Sequence, residues 1–158
     1  WASEKQITGA AFLFAIETAM RSGEILNMRN RDISGSVVHL PETKNEHARH
    51  VPMTVRAVEI LTKVRNGNED ADAHPFDIDS DSRDSVFRAG VRKAKVDDLH
   101  FHDSRHEGIT RLARRLEILD LARVTGHRNL NELLTYYEAS GAELAERLNA
   151  STSSDEIK

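Results

Sequence analysis

The side chains of this chain best suited to chemistry are two arginines, a lysine, several histidines and a pair of tyrosines. They fall in order as Arg21 within Thr18-Ala-Met-Arg-Ser-Gly-Glu24, then Lys44, the run His102-Asp-Ser-Arg105-His106, Gly126-His127, and Tyr136-Tyr137. A phenol is a poor nucleophile at neutral pH and becomes useful only where neighbours stabilise the charge that develops in the transition state. Arginines and histidines are such neighbours. The set suits phosphoryl transfer, in which a protein mostly positions groups and neutralises non-bridging oxygens.

Each piece also has a plain structural reading. Arg21 and Glu24 are spaced to pair on a helix surface. Lys44 alone is a solvated loop lysine, and a tyrosine pair alone is amphipathic packing. His100, His102, His106 and His127 permit a metal-site reading, with His102 and His106 spaced i, i+4, but only Asp103 accompanies them as a carboxylate.

The elements that must position these groups can be read from hydrophobic period and caps. Residues 5–20 predict a largely buried helix with Ile7, Ala11, Phe14 and Thr18 on one face. Gly23 interrupts it, and Ser22 can cap a shorter helix with Ile25, Leu26 and Met28, which places Arg21 at a helix junction. A Ser-Gly-Ser turn, Val37–Leu40, a polar loop from Glu42 to Ala48 and His50–Met53 predict a hairpin with Lys44 in its loop. Thr54 caps a helix through Val64, and the acidic stretch of residues 66–85 reads as a surface loop, the least ordered interior segment.

Residues 85–95 predict another helix. Asp103-Ser104 can start the helix of Arg105, Ile109 and Leu112, leaving His102 just before its first turn, where free amides and the dipole favour an anion. Ile118–Thr125 reads as a short helix ended by Gly126. Asn129 with Glu132, and Ser140 with Glu143, resemble capping boxes, the first opening a helix that carries Leu133, Leu134 and Tyr136. The tail 151–158 is expected to be disordered.

The ordered set resembles the catalytic domain of the tyrosine recombinases, the phage-integrase family. That family carries Arg-x-x-Glu, a hairpin lysine, His-x-x-Arg-His, Gly-His, and a tyrosine nine positions after that last histidine; here these are Arg21 and Glu24, Lys44, His102 to His106, Gly126-His127 and Tyr136. Tyr137 falls where the family varies and is expected to pack. Ser104 departs from the family's usual leucine. The resemblance implies a mainly helical α+β domain over residues 1–150 with a small antiparallel sheet at one edge. It also implies site-specific cleavage and rejoining of double-stranded DNA through a 3′-phosphotyrosine, without cofactor or metal.

In that reading Arg21 and Arg105 clamp the scissile phosphate through paired guanidinium donors. Glu24 orients them, Lys44 protonates the leaving 5′ oxygen, and His102 and His127 bond phosphate oxygens or carry the tyrosine's proton. His106 is expected to be a buried structural residue outside the core site. The resemblance further implies a tetramer on DNA, a monomer when free, and a separate amino-terminal core-binding domain of the parent, absent here because the chain starts at Trp1.

Composition bounds the alternatives. With no cysteine among 158 residues, disulfides and thiolate chemistry are excluded and a reducing cytoplasm is the expected home. No apolar run approaches a membrane span. The net charge of −4 runs against DNA binding, but residues 66–85 carry −6 and residues 142–158 carry −2, leaving +4 on the remainder. Three other functions remain open: relaxation by a type IB topoisomerase-like enzyme, a non-catalytic DNA-binding module, and a histidine-metal hydrolase.

Overall fold

Helix α1 (Glu4–Thr18) begins at Ser3, whose hydroxyl accepts the Gln6 amide at 3.4 Å while the Gln6 side chain accepts the Ser3 N–H at 2.9 Å. A computed structural model describes residues 3–42, 47–137 and 140–152. Thr8, Ala11, Phe14, Ala15 and Thr18 of α1 are buried. The helix is the axis of the core, packed by α3 (Val55–Arg65), α4 (Ser80–Ala94) and α5 (Asp103–Ala113). Phe12 meets Phe87 and Phe101 at 5.0 and 5.6 Å between ring centroids, and Phe14 meets Phe76 at 5.2 Å.

At Ala19 the chain turns into the left-handed region (φ 53°) and leaves the helix. That corner delivers Arg21 to the start of α2 (Ser22–Asn27). The crossing of α5 over α1 is close because Gly108 faces the α1 backbone: a Cβ there would lie 2.9 Å from the Ala15 and Ile16 carbonyl oxygens and 3.0 Å from Ala19 Cα. Backbone on both sides cannot yield as a side chain can. Gly108→Ala is therefore expected to destabilise the fold by about 1–3 kcal/mol, read as a lower denaturant midpoint with an unchanged m-value.

Strands β1 (Ile33–Ser34), β2 (Val37–Leu40) and β3 (Arg49–Pro52) form an antiparallel sheet in that order, at one edge of the helical body. Val38 pairs with Val51 and His39 with His50. The inward face holds Val38, Leu40, Arg49 and Val51, all buried, and β3 packs on α6 (Ile118–Thr125). The fold is thus mainly helical α+β with a small antiparallel sheet, as expected. The loop with Lys44 lies outside the described residues.

The acidic stretch corrects the expectation of a loosely held loop. Backbone N–H groups of Asn30 and Arg31 donate to the Ala73 and Ala71 carbonyls, both at 3.0 Å, and the Asn30 amide donates to the Asn68 and Asp70 carbonyls. Arg29 and Arg31 both pair with Asp72, and Phe76 is fully buried. One of its acids, Asp72, meets two arginines 43 and 41 residues earlier, a match that composition alone cannot show. The next helix also starts earlier than expected, because Asp79 accepts the Ser82 amide at 2.9 Å and opens α4 at Ser80.

After Gly126 the chain forms α7 (Asn131–Leu134) and α8 (Gly141–Thr152). The Ser140–Glu143 capping box forms, with the carboxylate accepting the Ser140 N–H at 2.7 Å. The Asn129–Glu132 box does not. Asn129 instead accepts the Asn131 amide at 3.0 Å, and α7 is a single turn. Helix α8 runs two residues into the stretch expected to be disordered, and residues 153–158 lie outside the described residues.

Candidate active site

Arg105 is the group on which the site is built. It projects from the first turn of α5, is 5% exposed, and spends two of its N–H groups on backbone: Nη1 donates to the Ala19 carbonyl at 2.5 Å and Nη2 to the Thr125 carbonyl at 2.8 Å. Those two carbonyls end α1 and α6. One guanidinium therefore ties the corner that presents Arg21 to the corner that presents His127. Gly126 ends α6 in the left-handed region (φ 77°), where glycine carries no Cβ penalty.

A second arginine braces the same place from the sheet. Arg49, buried on β3, donates from Nε to the Val124 carbonyl at 3.0 Å and pairs through Nη2 with Glu24 Oε1 at 2.5 Å. Glu24 also accepts the Arg21 backbone N–H at 2.7 Å and its Nη1 at 3.2 Å. The carboxylate thus serves both arginines, and the i, i+3 pair read from sequence is one arm of a network. A Cβ on Gly126 would lie 3.2 Å from the Arg49 guanidinium, so the two are packed face to face.

Arg21, Arg49, Arg105 and His127 line one cleft of about 1070 Å³, with Arg123 and Arg128 at its rim and Asp120 and Glu132 as its only acids among the described residues. Five arginines against two carboxylates give the cleft a positive field that the chain's net charge conceals. His102, at the mouth of α5, lines an adjoining groove with Arg21. Ser104 does not cap this helix: it is buried, and its hydroxyl donates to the Phe101 carbonyl at 2.5 Å. Lys44 lies outside the described residues.

Tyr136 sits in a tight turn just past α7 rather than within a helix, its N–H donating to the Leu133 carbonyl at 3.0 Å. The hydroxyl is 2.9 Å from His106 Nδ1. The expectation of a buried His106 is overturned: it is exposed, one turn along α5 from His102, with the two rings edge to face at 4.9 Å. Residues i and i+4 share a helix face, so the signal was present in the spacing. Tyr137 points elsewhere, its hydroxyl donating to the Leu116 carbonyl at 2.5 Å. Burial and the nearby Glu117 and Asp120 raise its pKa.

Local bonding fixes the tautomer of His127. Thr125 donates its hydroxyl proton to the Leu121 carbonyl at 2.7 Å, so toward His127 Nδ1 at 2.6 Å its oxygen can only accept. His127 therefore carries the proton on Nδ1 and, when neutral, a lone pair on Nε2. Burial, then the Arg105 charge, lower its pKa, with Glu132 opposing. Partial desolvation also leads the lowering at His102, although that residue is exposed overall; His106 and Arg105 add to it and Asp103 opposes.

A histidine whose folded pKa lies below its unfolded value near 6.5 leaves the unfolded chain holding more protons over that interval. Stability is thus expected to fall as the pH drops below about 6.5. Thermal melts at pH 7.5 and 5.5 check this, and the gap should narrow in His127→Gln.

Among the described residues no group of three or more histidines and acids is arranged to hold a metal, and no helix is long and apolar enough to cross a membrane.

Comparison with known proteins agrees with this architecture. A putative integrase/recombinase of Haemophilus influenzae is 40% identical over 148 residues, which cover 92% of this chain and 48% of that protein. The shufflon-specific DNA recombinase of Escherichia coli is 38% identical over 146 residues, 88% of this chain and 36% of that one. The chain thus spans about half or less of these curated relatives. Among solved structures, the catalytic domain of bacteriophage HP1 integrase matches with a TM-score of 0.68 at 16% identity, over 95% of this chain and 85% of that one. The Tn1549 transposon integrase in complex with circular intermediate DNA matches with a TM-score of 0.70 at 18% identity, over 89% and 58%. The phage integrase family model spans residues 2–143, from the start of the core to the helix beyond Tyr136, and the chain belongs to that family.

Proposed function

We propose that this chain is the catalytic domain of a site-specific DNA recombinase that acts on double-stranded DNA through a covalent tyrosine intermediate. The observation that carries the reading is the common cleft of Arg21, Arg105 and His127, which brings together guanidinium groups 84 residues apart in sequence. Tyr136 Oη attacks the scissile phosphorus and the bond to the 5′ oxygen breaks. This leaves a 3′-phosphotyrosine and a 5′ hydroxyl.

Arg21 and Arg105 neutralise the non-bridging oxygens. The two carbonyl bonds of Arg105 fix the plane of its guanidinium within the cleft, where its charge faces the phosphate. His106, against the phenol, accepts the proton of the attacking hydroxyl, and Lys44 returns one to the leaving oxygen. Rejoining is the reverse, with the 5′ hydroxyl of a new strand as nucleophile. The ester conserves the bond energy, so no nucleotide cofactor is consumed.

A phosphate in the cleft requires a donor at His127 Nε2, which the neutral tautomer lacks. DNA binding should therefore take up a proton and tighten as the pH falls from 7.5 to 6.5, a trend that His127→Gln removes in titrations at fixed salt.

The relatives' names support exchange of strands, and in the parent protein four protomers would assemble on two duplexes in the cytoplasm. The free domain would be monomeric, and the core-binding domain that precedes it in the family would close the other side of the DNA. The test is incubation of the full-length parent with a supercoiled plasmid carrying two copies of its site. Recombinant joints are the expected product. Relaxed circles without joints would instead indicate a topoisomerase, and binding without any cleavage a non-catalytic module.

A further inference from the structure

The solvent-facing side of the β2–β3 hairpin carries a histidine pair to which the proposed reaction assigns no role, although His50 also borders the cleft. His39 and His50 are directly opposite one another, both exposed, with Nδ1 atoms 2.8 Å apart and rings edge to face at 4.7 Å between centroids. Ser36 and Met53 form a hydrogen-bonded pair through the Met53 N–H at 2.8 Å. Alternation then makes Val37–Pro52 and His39–His50 non-hydrogen-bonded pairs, the class whose side chains approach most closely. Pro52, with no N–H to give, fits this register.

We propose that His39 and His50 form a two-histidine chelate for a divalent transition metal that favours 90° ligand angles, Cu²⁺ or Ni²⁺, on the outer face of this hairpin. Two nitrogens bound at about 2.0 Å and 90° lie about 2.8 Å apart, whereas a tetrahedral ion would need about 3.3 Å. The Nδ1 separation matches the former. Both rings are exposed, so they can rotate out of their mutual hydrogen bond to aim both lone pairs at one ion without disturbing the core.

The protons balance. At present one Nδ1 must donate and the other accept, so one neutral ring holds its proton on Nδ1. On binding, that proton moves to Nε2, which faces solvent, and two neutral rings bind the ion with no net release. Waters complete the coordination. The ion would cross-link the two strands that flank the Lys44 loop and so stiffen the hairpin's base.

The test adds Ni²⁺ to the protein and follows thermal unfolding. It is paired with Cu²⁺ electron paramagnetic resonance at substoichiometric metal. At ten times the dissociation constant, a site formed only in the folded state is expected to raise Tm by about 3–5 °C. The spectrum should show nitrogen hyperfine coupling.

Both signals should vanish in His39→Gln and in His50→Gln and persist in His106→Gln, which removes the other closely spaced histidine pair. Urea melts without metal confirm that the variants fold. Absence of a Tm rise, or a rise lost in His106→Gln and kept in His50→Gln, would overturn the proposal. Both readouts report metal binding and folding rather than strand cleavage, so failure here leaves the recombinase reading to its own test.

Discussion

Arg105→Ala is expected to lose strand cleavage by at least about a hundredfold and to cost about 2–5 kcal/mol of folding stability. Two different losses coincide in this residue. The guanidinium is 5% exposed, and its removal leaves the Ala19 and Thr125 carbonyls without their donors in a buried setting. It also opens a gap between the ends of α1 and α6, the corners that present Arg21 and His127. Arg21→Ala separates the two effects, because Arg21 is only half-buried and binds Glu24 at the surface of the cleft. That variant should cleave as poorly while unfolding within about 1 kcal/mol of the wild type. Denaturant titration with cleavage of a labelled duplex measures both quantities on the same preparations.

The second large effect divides the two tyrosines. Tyr136→Phe should abolish the covalent adduct altogether, since the proposed reaction makes its hydroxyl the attacking group. Stability should fall by no more than about 0.5–1.5 kcal/mol, because the lost hydrogen bond is to the exposed His106. Tyr137→Phe should spare the adduct at a similar cost in stability. Its hydroxyl donates to the Leu116 carbonyl, so its loss costs about 1 kcal/mol and leaves the adduct in place. The pH dependence carries a matching sign: the raised pKa of Tyr137 means the folded chain keeps a proton that the unfolded chain releases. Stability should therefore fall as the pH rises through and above 10, and should do so less in Tyr137→Phe.

The helices around the site were legible because their signals are local. Thr54 accepts the Ala57 amide, Ser140 and Glu143 close their box, and Gly126 ends α6 at the residue where its freedom is needed. The hairpin was legible from alternation and its turn. What escaped was partnership across distance.

Arg49 reads in sequence as one more base beside a loop, and only the sheet register turns it inward onto Glu24 and Val124. The acidic stretch reads as solvated until Arg29, Asn30 and Arg31 are seen to face it. His106 was misread for a different reason. Its spacing from His102 put it on the right face, but the partner it meets there, Tyr136, comes from a turn and not from the helix that the Asn129–Glu132 pattern suggested. The positive cleft was hidden by a global charge of −4, because arginines from four separate segments contribute to it.

The most direct measurement is covalent trapping on a nicked duplex whose short cleaved strand diffuses away, followed by proteolysis and mass mapping of the peptide that bears the nucleotide. A phosphodiester on Tyr136, lost in Tyr136→Phe and retained in Tyr137→Phe, is the result expected. A modification on Tyr137, or a stable protein–DNA complex from which no linked peptide can be recovered, would contradict the claim that Tyr136 is the attacking group.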